Sequence, residues 1–277
     1  MTAERLDSTL PGAPPAARRS SPVWHFVERE ALIYRRLWRG VVFTQFVQPT
    51  LYLLAMGIGL GGLIAANGTT VDGFSYLVFV APGLMAATTL QTATGEALWP
   101  VLAGFKWMGF YHGMVAAPLR PSDVYRGVIA WLSLRLTASA TAFLAVATLL
   151  GAVLSPWAVL AIPAAVLCAL SLAAPLAAFS ATQETDHSFP LVLRFLTLPM
   201  FLFSATFFPL SQLPAALRPL AWISPLWHGV ELCRDATTGT LGSAGWAGVA
   251  GHVAVLVTYL GLGTVWGTRT FTRRLTT

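Results

Sequence analysis

Long runs of the chain carry no Asp, Glu, Lys or Arg, and the charged residues bunch between them. The uncharged runs are 40–71, 73–95, 127–134, 136–183, 195–217 and 236–268. About 20 apolar residues at about 1.5 Å each cross roughly 30 Å of hydrocarbon. The run 136–183 is too long for one crossing, and Gly151 with Ser155-Pro156 divides it. The pattern predicts an all-α membrane protein with six transmembrane helices, near 41–65, 74–95, 124–150, 157–181, 190–208 and 243–267.

Composition sharpens this. The 277 residues are 56% apolar and only 10% charged, against roughly a quarter charged in a soluble domain. Cationic loops resist translocation, so Lys and Arg set the orientation. With the N-terminus inside, one side receives Arg5, Arg18, Arg19, Arg29, Arg35, Arg36, Arg39, Lys106, Arg120, Arg126, Arg194, Arg269, Arg273 and Arg274, and the other only Arg218 and Arg234. Both termini are therefore expected in the cytoplasm of a multi-pass cell-membrane protein. The net charge of +6 is accounted for by topology and anionic lipid, with no nucleic-acid partner.

Residues 1–21 are rich in Ala, Pro and Ser and lack the apolar centre of a signal peptide. They read as a disordered cytoplasmic tail. Ser21-Pro22 then suits a helix start, with Ser as N-cap. Over 22–39, Val23, Phe26, Val27, Ala31, Tyr34, Leu37 and Trp38 share one arc, while Glu28, Arg29, Arg35, Arg36 and Arg39 lie largely opposite and Glu30 interrupts the apolar face. This predicts an interfacial amphipathic helix, with Trp24, Glu28, Arg29, Arg35 and Arg36 as its marker residues. The membrane domain proper is expected over 40–277.

Two segments between spans are too apolar for plain loops. The first, 96–123, carries Glu96, Trp99, Phe105, Lys106, Trp107, Phe110 and Tyr111, then Pro118, Leu119, Arg120, Pro121 and Asp123. The prolines break any helix, and Ser122 or Asp123 can cap the next span, so a short helix, a turn and a docking surface are expected. The second, 207–239, is divided by Pro209, Pro214, Pro219 and Pro225 into pieces too short to span. These are expected to dip into the outer leaflet as a lid, since irregular backbone at that depth must be covered by protein or line a wet cavity. His228, Glu231, Arg234 and Asp235 are spaced to share helix faces there, as a salt-bridge network holding the lid.

Enzyme chemistry finds little support. A P-loop needs Lys after a Gly-rich turn, and the single lysine, Lys106, precedes Trp107. Gly57, Gly59 and Gly62 imitate a dinucleotide fingerprint but end an apolar span, where Gly57 and Gly61 suit close helix packing. Asn67-Gly68-Thr69 is a chance-level glycosylation sequon. Glu184, Asp186 and His187 read as a solvated turn. Cys168 and Cys233 are not expected to meet, and no metal spacing is present. Arg135 lies roughly 13 Å of helix beyond Arg126, inside the bilayer. It is expected to snorkel, to hydrogen-bond between helices or to contact an anionic substrate group.

The stretch Phe203-Ser204-Ala205-Thr206-Phe207-Phe208-Pro209-Leu210-Ser211-Gln212-Leu213-Pro214, followed by Pro225-Leu226-Trp227-His228-Gly229-Val230-Glu231-Leu232 and Arg234, resembles the signature of ABC-2 type exporter permeases. It is most similar to the branch holding nodulation lipo-oligosaccharide and daunorubicin-resistance permeases. Pro49-Thr50-Leu51-Tyr52-Leu53-Leu54, Ala81-Pro82-Gly83-Leu84 and Met114 to Leu119 with Pro121, Asp123 and Gly127 agree. Trp227 and Ala117 depart from the family pattern.

The resemblance implies a permease paired with itself or a sister subunit and with two separate ABC ATPase subunits, which bind ATP and Mg, so that no cofactor belongs to this chain. It implies ATPase coupling through Glu96, Trp99, Phe105, Lys106, Trp107, Tyr111, Pro118, Leu119, Arg120 and Asp123. It also implies an outer gate at Pro209, Pro214, Trp222, Pro225, His228, Glu231 and Arg234, with no catalytic residue. A lipid-linked saccharide, a glycolipid or a hydrophobic drug suits a wide apolar dimer interface. The rival expectations are a lipid-modifying membrane enzyme and a non-enzymatic scaffold.

Overall fold

A computed structural model describes residues 21–276 except 67, 69, 117–118 and 242–244. The expected tail before Ser21, the sequon's Asn67 and Thr69, Ala117 and Pro118 lie outside the described residues. In order, the elements are α1 (Pro22–Leu53), a π-helical run Leu54–Leu60, α2 (Gly61–Ala66), α3 (Tyr76–Leu102), a π turn Ala103–Trp107, α4 (Phe110–Ala116) and α5 (Pro121–Leu149). There follow a 3-10 turn Pro156–Leu160, α6 (Ala161–Ser180), α7 (Phe189–Val192), a π turn Leu193–Thr197, α8 (Leu198–Phe203), a 3-10 turn Leu210–Gln212, α9 (Arg218–Ile223), α10 (Pro225–Thr238) and α11 (Trp246–Thr276). No strand occurs among the described residues.

Five helical stretches are long and apolar enough to cross a membrane: Gln45–Ile64, Tyr76–Trp107, Pro121–Leu149, Pro156–Ser180 and Trp246–Thr276. The expected span at 190–208 is instead the shorter apolar stretch Phe189–Phe203, about 22 Å long at the helical rise. Pro199 cannot donate to the preceding turn, and the π turn Leu193–Thr197 lies just before it. Ala205 adopts a left-handed φ of 56°, which ends the helix. The other two π stretches follow prolines, Pro49 in α1 and Pro100 in α3. Each π stretch thus lies close to a proline.

The separate interfacial helix expected over 22–39 is corrected: α1 continues through Arg39 and Gly40 to Leu53. Gly40 costs about 1 kcal/mol of helix propensity without supplying a break. Phe26 and Val27 are buried and Tyr34 half-buried, but Ala31, placed on the same arc, is exposed. The side chains of Leu37 and Trp38 lie outside the described ones. Ser21 makes no side-chain cap; its carbonyl accepts from Trp24 and His25 instead. Nor do Ser122 or Asp123 cap α5, whose N-cap is Arg120 with Pro121 at the first position.

α3 and α6 form the centre, with α10 packed on both and α11 on α6. Ala161, Ala165, Ala169, Ala173 and Ala177 recur every fourth residue and are fully buried. Such a ridge of small side chains lets backbones approach where lipid supplies no hydrophobic drive. At the end of α6 the Ser180 hydroxyl donates to the Leu98 carbonyl, 2.7 Å. Gly57 and Gly61 meet Leu77 and Tyr76 at the start of α3, the close packing anticipated for them. In α11, Gly263 lies against Pro175 and Gly267 against the Tyr125 ring. The Tyr125 hydroxyl stands within hydrogen-bond reach of the carbonyls of Ala174 (3.2 Å) and Gly263 (3.1 Å), so one phenol ties α5, α6 and α11.

Gly267→Leu is therefore expected to lose roughly 1–3 kcal/mol or more through overpacking against Tyr125. Gly251→Leu, where no atom lies within 4 Å, serves as the control. Thermal unfolding of the detergent-solubilised protein checks both, and equal midpoints would contradict the tie.

Candidate functional site

At the end of the molecule that carries Ser21 and Thr276, six aromatic rings make one cluster. Tyr111 meets Phe26, Phe105, Phe110 and Phe271, and Phe271 also meets Phe105 and Tyr125, with centroids 4.6–6.4 Å apart. Gly104 and Gly127 leave room for the Tyr111 and Phe26 rings. The cluster braces the turn between α3 and α4, whose tip presents Trp107 (59% exposed) and Met108 (68%). Gly109, at φ 63°, permits the reversal that L side chains resist.

The residues expected to form one docking surface separate into four groups. Trp107 and Arg120 are exposed and Leu119 is half-buried, while Asp123 faces Arg126 in the first turn of α5, 3.7 Å. Phe105 and Tyr111 are interior braces. Glu96 and Trp99 lie inside α3 rather than in a loop, a correction to the expected boundary. Lys106 pairs with Glu184, whose carboxyl it holds below the usual carboxylate range. Arg274 joins that carboxylate at 3.2 Å and donates to the carbonyls of Ala181 (2.5 Å) and Gln183 (2.8 Å). The turn 181–188, expected to be merely solvated, is thus fastened to two other elements.

Arg135 pairs with Glu96 at 2.5 Å and stands 5.1 Å over the Tyr34 ring. Nearby, Arg29 is paired with Glu30 and lies 4.0 Å over Phe110. Arg135 thus makes an interhelical pair between α5 and α3. On the outer face of α1, Glu28, Arg35 and Arg36 are exposed together with Trp24.

At the opposite end, Arg234 is buried. Its guanidinium donates to Glu231 (2.8 Å) and to the Ala205 carbonyl (2.8 Å), and covers Phe79 at 4.1 Å. The left-handed turn at Ala205 aims that carbonyl at α10. Ser204 and Ser224 share a hydrogen bond of 2.7 Å, and a Cβ on Gly83 would stand 2.8 Å from the Thr206 carbonyl. Arg218 donates to the carbonyls of Leu213 and Ser211, fastening the segment that holds Pro209 and Pro214. Pro225 opens α10, and Trp222 is exposed at the end of α9. The expected four-residue network divides: Asp235 accepts from Thr240, and His228 turns elsewhere.

His228 Nε2 lies 2.9 Å from the Trp222 carbonyl and its Nδ1 lies 2.7 Å from Nδ1 of His252. The carbonyl only accepts, so Nε2 of His228 carries the proton, its Nδ1 accepts, and His252 Nδ1 donates. His252 was invisible to a count of full charges, as were Ser204, Ser224, Tyr125 and Phe271. Beside this region a cavity of about 290 Å³ is lined by Phe195, Met200, Phe203, Ile223 and Tyr259 among others. Cys168 and Cys233 are buried free thiols.

Removing Arg135 leaves a partly buried carboxylate unpaired, which costs about 3–5 kcal/mol in a buried pair. Arg135→Met should therefore destabilise strongly and Arg135→Met with Glu96→Leu should recover most of the loss, as read by thermal unfolding. Burial pushes His228 below its ordinary value, so its neutral form is favoured on folding. Its contribution is whole above about pH 6.5 and is lost as pH falls below that. Melting should drop between pH 7.5 and 5, by roughly 2–4 °C per kcal/mol, and less so in His228→Gln.

A family model of the ABC-2 type transporter matches residues 22–237. Nodulation protein J of Rhizobium leguminosarum bv. viciae is 27% identical over 255 residues, which is 91% of this chain and 93% of that protein. Its namesake in Bradyrhizobium diazoefficiens is 27% identical over 253 residues, 91% and 92% of the two chains. That of Sinorhizobium fredii is 25% identical over 236 residues, 84% and 87%. No solved structure matches. With the family match spanning most of the helical bundle described above, the chain belongs to the ABC-2 type transporter family as its multi-pass transmembrane subunit.

Proposed function

We propose that this chain is the permease of an exporter that passes an amphiphilic substrate outward, powered by two separate ATPase subunits seated on its basic end. The observation that carries this reading is the braced turn at Trp107 and Met108. Large apolar side chains stand exposed there at the tip of a turn held by buried rings and by the Lys106–Glu184 pair. An exposed apolar tip on a rigid base is what a partner needs in order to push on the helices behind it.

The basic end faces the cytoplasm in this reading, as the Lys and Arg distribution favours. Phe26 of α1 and Phe271 of α11 both meet Tyr111, which supports an even number of crossings. The segment from Phe189 to Phe203 supplies the sixth: Phe189 packs on Trp99 near the basic end, and Ser204 bonds Ser224 at the other. Irregular backbone at 204–209 completes the crossing under cover of α3 and α10. ATP and Mg belong to the partner subunits. The one lysine sits in a helical turn and is engaged by Glu184, which is no cradle for phosphates.

A second permease copy, or a sister chain, completes the path. An amphiphile fits a bundle whose inner charges are paired off, Glu96 with Arg135 and Glu231 with Arg234. This also favours transport over lipid-modifying catalysis, which needs a group left poised to react.

Purification of the tagged chain from its native membrane should bring down ATPase subunits. Trp107→Ala with Met108→Ala should cut ATP hydrolysis by the complex, or its assembly, about tenfold, the effect of losing a hot spot of about 1.4 kcal/mol. Full hydrolysis in that variant, or a chain that comes alone, sinks the docking reading.

A further inference from the structure

We propose that the turn 181–188 is a relay, in which Glu184 and Asp186 are positioning residues that pass displacement of the Trp107 tip to the broken helix α7–α8 and so to the opposite end of the molecule. The proposal rests on the exporter reading and adds a route to it. The route begins one residue before the tip, where Lys106 holds Glu184. Two helical turns earlier on α3, Trp99 Nε1 donates to Asp186 Oδ2, 3.3 Å. The end of α3 and the π turn after it therefore hold the turn at two points, one an exposed ion pair and the other a hydrogen bond.

The turn has little freedom to absorb that movement. Arg274 holds its start through the carbonyls of Ala181 and Gln183 and through Glu184, with its guanidinium 4.8 Å from Phe105 of the aromatic cluster. The Ser188 hydroxyl donates to Gln183 Oε1, and the Phe189 amide donates to the Asp186 carbonyl. Asp186 is thus bonded through its side chain to α3 and through its backbone to the first residue of α7. Phe189 is fully buried and stands edge-on to Trp99, centroids 5.3 Å apart.

From Phe189 the chain runs through the π turn to Phe203, and its far end is again fastened. Ser204 is bonded to Ser224, and the Ala205 carbonyl to Arg234 of α10. A shift of the turn along the helix axis would therefore load these two hydrogen bonds. Helices α9 and α10 carry Trp222 and His228, so they respond through contacts already named. Packed elements with discrete bonds at both ends transmit shifts as switches between arrangements. Glu184 is the weakest member, exposed and shared by two cations, and its removal is the cleanest way to cut the route without unfolding the core.

The test uses the complex purified from native membrane with its ATPase subunits, reconstituted in lipid, and bearing Trp222→Cys as a maleimide reporter; Cys168 and Cys233 are buried. Labelling is timed with and without MgATP and vanadate, alongside ATP hydrolysis. The nucleotide-dependent change in labelling, taken per ATP hydrolysed, should fall about fivefold or more in Glu184→Gln, the low end of coupling between sites. Glu184→Asp, which keeps the charge, should restore most of it, and Asp186→Ala, which removes the acceptor for Trp99 Nε1, should reproduce the loss. An unchanged nucleotide response in Glu184→Gln overturns the relay alone. A complex without ATPase subunits overturns the exporter reading and the relay together.

Discussion

The close approach of α6 to α3 and α11 is what the rest of the structure depends on. In hydrocarbon the helices gain nothing from hiding apolar side chains, so they are held by van der Waals contact and a few hydrogen bonds between backbones brought near. The alanine ridge from Ala161 to Ala177 and Gly263 of α11 make that approach possible. Ser180 and Tyr125 then use it, each reaching a carbonyl of a neighbouring helix.

Around that rigid centre the two ends differ in kind. The basic end is held by aromatic rings and by ion pairs at the surface, Lys106 and Arg274 on Glu184. The opposite end is held by buried polar contacts, Arg234 on Glu231 and on the Ala205 carbonyl, and serine on serine. Exposed pairs are weak and easily exchanged, whereas breaking a buried one strands a charge.

Much of the architecture was legible in the sequence because lipid imposes a length and forbids free charge. Five of the six expected spans follow from those two constraints, and Gly57 and Gly61 pack closely as their four-residue spacing suggested. The expected break at Arg39 was not there, because an amphipathic stretch and a span join smoothly when no residue between them strongly disfavours helix. The fifth span came out short, because proline spacing says where a ladder is disturbed but not whether a π turn will repair it.

What the sequence determined by itself is the class of the molecule, its charge asymmetry and its want of a phosphate-binding lysine loop, since these depend on local composition alone. Only the tertiary structure decided which charges meet. Glu96 finds Arg135, Glu184 finds Lys106 and Arg274, and His228 finds His252 across gaps in sequence that no periodicity encodes. Pairing of this sort is fixed by how helices cross, which is set by the shape of their small-residue faces and by the few kcal/mol that separate alternative crossings.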